Sequence, residues 1–128
     1  MMQHSDLVYV KKVAGKGRGV FARKPIRKGD VIEKVPKMLL PVHFIVDGYE
    51  NPNIARVFFV HDSKTVAICL GYGSLYNHSY KPNALYEDGP VSTMIFRALK
   101  NIQPDEEICV NYNGDPVDRS PMGFTVVE

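Results

Sequence analysis

The chain has 128 residues, 45% of them hydrophobic, and carries sixteen lysines and arginines against fourteen acids for a net charge of +2. That length bounds a single domain, residues 1–128, with enough apolar material for a core. No apolar run is long enough to cross a bilayer, and the first dozen residues lack the apolar centre of a signal peptide, so an intracellular protein is expected rather than a secreted or membrane one.

The net charge hides an asymmetry. Residues 1–41 hold ten Lys/Arg against three acids, a balance of +7, and residues 42–128 hold six against eleven, a balance of −5. Either the two parts are ordinary solvated faces, or the basic part meets an anion such as nucleic acid while the acidic part draws a basic partner.

In chain order, Leu7 to Val13 is a short β-rich run. Gly15-Lys16-Gly17-Arg18-Gly19 breaks it, Val20-Phe21-Ala22 resumes, and Lys24 to Asp30 turns the chain into Val31-Ile32. Glycines alternating with basic residues permit a tight turn and close approach of a ligand. No helical pattern follows, so a dinucleotide-binding loop is excluded on context and a glycine hairpin is expected. Residues 33–54 are punctuated by Pro36, Pro41 and Pro52, with a turn at Asp47-Gly48 and room for a short helical turn at Val42–Val46. Arg56–Val60 and Thr65–Leu70 read as a hairpin. Leu85-Tyr86 and Thr93–Leu99 read as strands about an Asp88-Gly89-Pro90 turn, and Ile108-Cys109-Val110 is the last clear strand. Cys69 and Cys109 both sit in apolar runs and read as small buried hydrophobes in a reducing compartment. Without a cysteine-rich cluster, no structural zinc is expected.

Between the hairpins lies GYGSLYNHSYKPNA, residues 71–84. Its glycines, asparagines and proline predict irregular backbone, while Leu75 and three tyrosines are too apolar for a solvated linker. A buried irregular segment must satisfy its backbone with its own side chains, for which Asn77, His78, Ser79 and Asn83 are suited. The stretch is therefore either a packed internal loop stapled by Asn and His, or a ligand site.

The chain also echoes itself. Ala22-x-Lys24-x-Ile26-x-x-x-Asp30-x-Ile32 recurs at one fixed offset as Ala98-x-Lys100-x-Ile102-x-x-x-Glu106-x-Ile108. Two copies do not make a solenoid. They predict two related β-units packed into one body of short strands.

Three blocks, GKGRGVFA (15–22), YNHSYKPNA (76–84) and DEEICVNY (105–112), resemble in order and spacing the SET-domain protein-lysine methyltransferases. They cover about a quarter of the residues and bracket most of the chain. The resemblance implies a mainly β fold, a SET-type β-clip of short strands in several small sheets with a C-terminal pseudoknot. It implies the compact form without zinc, since Ser79 stands where zinc-bound relatives carry cysteine and no later CxC cluster exists.

The resemblance also implies roles. Lys16, Gly17, Arg18 and Gly19 would lie against S-adenosylmethionine, with Lys16 or Arg18 near its carboxylate. Asn77 would bond the cofactor's amino acid end, His78 would contact its adenine side, and Phe124 would close over the adenine or the lysine channel. Tyr112 matches the active-site tyrosine, and Tyr86 with Tyr72 would line the channel for the substrate lysine. The implied reaction is methyl transfer to the amine of a protein lysine, in a histone tail or another basic protein. The alternative is a β-clip module that binds a ligand or protein without catalysis. Neither composition nor motif fixes the oligomeric state, so monomer and dimer both stay open.

Overall fold

A computed structural model describes residues 5–41, 58–122 and 126–128. The described residues form nine strands and no helix. These are β1 (Val8–Val13), β2 (Gly17–Ala22), β3 (Val31–Pro41), β4 (Phe58–Val60), β5 (Thr65–Cys69), β6 (Asn77–His78), β7 (Ala84–Gly89), β8 (Thr93–Ala98) and β9 (Glu107–Val110). They make a four-stranded sheet of order β1-β2-β9-β6 and a five-stranded sheet of order β4-β5-β3-β8-β7. This is the mainly β architecture of small sheets that the sequence predicts.

The glycine hairpin forms, but β2 begins inside the glycine run at Gly17, whose φ of 81° is left-handed. Period-two alternation then sorts the side chains. Val8 and Val20 are buried on the inner face, while the cross-strand partners Tyr9 and Phe21 stack on the other at 5.8 Å. The Arg56–Val60 run yields β4, which pairs antiparallel with β5; Arg56 and Val57 lie outside the described residues, as does the helical turn expected at Val42–Val46. At the β7–β8 hairpin the turn falls on Pro90–Ser92 rather than on Asp88–Pro90.

The largest departure is β3. Prolines at 36 and 41 predict breaks, yet the strand runs eleven residues through Pro36 and as far as Pro41. Proline removes one donor but keeps its acceptor, and Pro36 O receives the amide of Leu70 at 3.0 Å. The strand also carries a bulge. Val31 pairs with Arg97, but Glu33 pairs with Phe96, so the register slips by one residue. Ile32 and Glu33 are consequently both buried, where strict alternation would bury only one.

The sequence echo is a structural one. Ile26 and Ile102 form an isolated antiparallel bridge, exchanging N–H···O bonds of 2.9 and 2.8 Å. Around it the bonds repeat in pairs. Ala22 N donates to Glu106 O at 3.0 Å, and Ala98 N donates to Asp30 O at 2.9 Å. Gly29 N donates to Ala98 O at 2.9 Å, and Asp105 N donates to Ala22 O at 2.7 Å. Gly29 and Asp105 hold equivalent positions in the two copies and share left-handed φ values of 89° and 68°. The two copies thus cross, each completing the other's ladder: β2 pairs with β9 in one sheet and β3 with β8 in the other. Ile26 and Ile102, 2% and 0% exposed, are the apolar pin of the crossing.

Candidate active site

The stretch 71–84 is less irregular than its composition predicts. Asn77–His78 form β6, paired parallel with Cys109–Val110, and Ala84 opens β7. The stapling by side chains is present. Asn83 Oδ1 accepts the amide of Cys109 at 2.9 Å while its Nδ2 donates to Glu107 O at 2.8 Å, so one side chain stands in for a ladder neighbour. Ser79 Oγ accepts the amide of Lys81 at 2.9 Å and donates to the Glu128 carboxylate. His78 Nδ1 accepts the amide of Tyr112 at 3.0 Å.

Two groups of side chains meet around β6. The first joins the hairpin to β9. Asn77 Nδ2 donates to Arg18 O at 2.7 Å and to Glu107 Oε2 at 2.8 Å, and Lys16 Nζ pairs with Glu107 Oε1 at 3.0 Å. Gly19 is the floor. A Cβ there would stand 2.6 Å from Glu107 Oε2 and 3.0 Å from Asn77 Nδ2, so any side chain would displace the carboxylate. Lys16, Gly19, Asn77 and the Arg18 carbonyl are therefore together, as the motifs predict. The Arg18 side chain is exposed beside its cross-strand partner Lys12, and Gly17 is exposed at the start of β2.

The second group is aromatic. Tyr112 Oη donates to Tyr76 O at 2.7 Å, and Tyr86 Oη donates to Tyr112 O at 3.1 Å. Phe59 meets the Tyr86 ring edge-on at 4.8 Å, and His78 lies 5.3 Å from the Tyr112 ring. Burial pushes the Tyr86 phenol up to about 12, so it stays a donor at neutral pH. Tyr72 is half-buried against the same core and close enough to Tyr76 to act on it electrostatically. Phe124 lies outside the described residues.

Sequence reasoning gave no role to Glu107, Tyr76 or Glu33. Glu107 lies inside the quoted DEEICVNY block, but only the fold shows that its carboxylate joins Lys16 to Asn77. Tyr76 looks like one tyrosine among several, and its burial to 2% is set by tertiary packing. The thiols of Cys69 and Cys109 are buried, and burial raises both to about 12, so neither is a nucleophile at neutral pH. Among the described residues no three His, Cys, Asp or Glu gather as a metal-binding group.

His78 gives a pH signature. Its ring is buried, and burial holds its pKa below the ordinary 6.5, with Glu128 opposing the shift. The unfolded chain then binds more protons than the folded one as pH falls below that value. The contribution is complete above the ordinary value and is lost as pH falls toward the folded one. The melting temperature should fall more steeply as pH drops below about 6.5 in the wild type than in His78→Gln. Equal slopes would assign the acid sensitivity to other groups.

Comparison with known proteins gives the family. Residues 17–113 match the SET domain. The chain is 31% identical over 102 residues to the Schizosaccharomyces pombe histone-lysine N-methyltransferase specific for H3 lysine-37, covering 76% of this chain and 67% of that one. A candidate histone methyltransferase of Plasmodium falciparum superposes with a TM-score of 0.70 at 32% identity, covering 87% of this chain and 95% of that one. CpSET8 from Cryptosporidium superposes at 0.65 with 27% identity, covering 88% of this chain and 59% of that one. By class, these matches make this a protein-lysine methyltransferase. The chain belongs to the SET-domain family.

Proposed function

We propose that this protein transfers the methyl group of S-adenosylmethionine to the side-chain amine of a lysine in a basic protein such as a histone, in the nucleus. The carrying observation is the arrangement around β6. Asn77 joins the hairpin group, while the neighbouring His78 receives the amide of Tyr112.

The first group fits the cofactor's amino acid end. Lys16 offers a cation for the carboxylate, while Glu107, the Arg18 carbonyl and Asn77 offer partners for the ammonium. Gly19 leaves the floor open. When bound, the cofactor supplies an electrophilic methyl group. Gly19→Ala should weaken cofactor binding by about tenfold with a small loss of stability, because its Cβ pushes Glu107 away from Asn77. Calorimetric titration reads this, and unchanged affinity would remove the floor role.

The second group fits the amine. A lysine with an ordinary pKa of about 10.4 is mostly protonated at neutral pH. Walls such as Phe59, Tyr86 and Tyr72 disfavour the ammonium by desolvation. Tyr112 spends its proton on the Tyr76 carbonyl, so its oxygen faces the amine as an acceptor and can direct the nitrogen lone pair. Methyl transfer is an in-line displacement, so alignment supplies most of the rate and no strong general base is needed.

The test is mass spectrometry of histones and of a lysine-rich control protein incubated with wild-type protein and S-adenosylmethionine. Methyl increments on lysine are expected. Tight cofactor binding without transfer to any lysine would favour the non-catalytic module.

A further inference from the structure

Glu33 is a carboxylate where a strand would ordinarily place an apolar residue. It is 6% exposed, lies between Ile32 and Val35 on the core side, and is brought there by the β3 bulge. Without the slip it would oppose half-buried Ile95; with it, Glu33 opposes fully buried Phe96. A bulge is a device for re-aiming one side chain, and burying a carboxylate is unfavourable unless it is hydrogen-bonded.

Tyr76 Oη donates to Glu33 Oε1 at 2.7 Å. The Tyr76 ring is stacked on Phe96, with centroids 4.4 Å apart and planes 15° apart. The ring is thus held by its face on Phe96 and by its tip on Glu33. The carbonyl of the same residue receives the Tyr112 hydroxyl, and the next residue is Asn77.

We propose that Glu33 is a positioning residue for Tyr112, acting through Tyr76; this rests on the reading of Tyr112 as the hydroxyl beside the reacting amine. Fixing the tip of the Tyr76 ring fixes the peptide that ends in the Tyr76 carbonyl. That carbonyl sets where the Tyr112 oxygen stands and which way its lone pairs face. Packing alone does not call for the pair, since Leu at 33 and Phe at 76 fill nearly the same volume.

The opposing view, that the pair serves only the fold, is separable by experiment. Glu33→Leu and Tyr76→Phe each take away the buried Tyr76–Glu33 hydrogen bond and should lower the melting temperature. Removing both leaves neither member of this pair stranded, so the double variant should melt higher than Glu33→Leu alone. It should also bind S-adenosylmethionine close to normally, yet transfer methyl groups at least about tenfold more slowly in a single turnover, since misplacement of a reacting group lowers rate without unfolding. Glu33→Gln keeps an acceptor and should stay within about threefold of wild type. A double variant with restored melting and wild-type transfer would overturn the proposal, as would Glu33→Gln as slow as the double variant.

A second readout does not depend on activity. The Tyr112 ring carbon bearing the hydroxyl, labelled with carbon-13 and assigned by its loss in Tyr112→Phe, should shift in Tyr76→Phe. An unmoved signal would overturn the positioning role even if the wild type transfers no methyl group. Absence of transfer by the wild type would count against the proposed function alone.

Discussion

Tyr112→Phe should fold, bind S-adenosylmethionine within a few fold of the wild type, and transfer methyl groups on the order of a hundredfold more slowly. The substitution keeps the half-buried ring, which packs beside His78 and against the core. It removes the hydrogen bond from the hydroxyl to Tyr76 O at 2.7 Å. A bond of that kind contributes about 0.5–1.5 kcal/mol, a few degrees of melting temperature and no more. The expected loss in rate far exceeds that, because the proposed role gives the direction of the nucleophile to the hydroxyl and not to the ring. Single-turnover transfer to a lysine peptide, paired with a melting curve, separates the two. Near-normal transfer would take Tyr112 out of the mechanism. A collapse of melting temperature with activity would return it to the core.

Asn77→Ala is the second large effect, and it should appear in binding. The side chain donates to Arg18 O and to Glu107 Oε2, so its loss unties β6 from the hairpin and frees the Glu107 carboxylate on one side. Leaving the part-buried Glu107 carboxylate and the more exposed Arg18 carbonyl short of a donor costs about 1 kcal/mol of stability. Loss of a charge-assisted bond to the cofactor's amino acid end should weaken binding by roughly tenfold to a hundredfold. Titration calorimetry gives the affinity, and unchanged affinity in a folded variant would refute the assignment. The Lys16–Glu107 pair survives the substitution, so a residual site is expected rather than none.

Much of this was legible because short strands advertise themselves. Valines and aromatics mark β1 and β2, and an apolar run about Phe96 marks β8. The hairpin, the Asn77 segment and Tyr112 were found as blocks, and the fold brings Lys16, Gly19 and Asn77 into one group and Tyr86 and Tyr112 into another. What was hidden belongs to pairing across the chain. Pro36 looks like a breaker until its carbonyl is seen to take the Leu70 amide. Glu33 looks like a surface residue until the bulge turns it inward. Asn111 sits in the DEEICVNY block without a role of its own, yet it is 2% exposed and its Nδ2 donates to Asp118 O at 2.6 Å, shaping the turns after β9. The first depends on a neighbour dozens of residues away, the second on a local register slip and the third on a turn seven residues on, and none of these leaves a periodic trace.

The crossing about Ile26 and Ile102 also governs how the chain must be made. The ladder from Val20 to Glu33 finds its partners between Phe96 and Ile108, far along the sequence. During synthesis β1, β2 and β3 leave the ribosome long before β8 and β9 exist. The first hairpin can close by itself, but its inner face, with Val8 and Val20, waits for Ile108. The early nascent chain therefore carries apolar strands whose neighbours have not been translated. Closing so long a loop is entropically costly, so native folding comes late, in one cooperative step and slowly for a domain this small. Until then the unpaired edges of β2 and β3 are open to wrong partners, and the growing chain depends on being shielded while it waits.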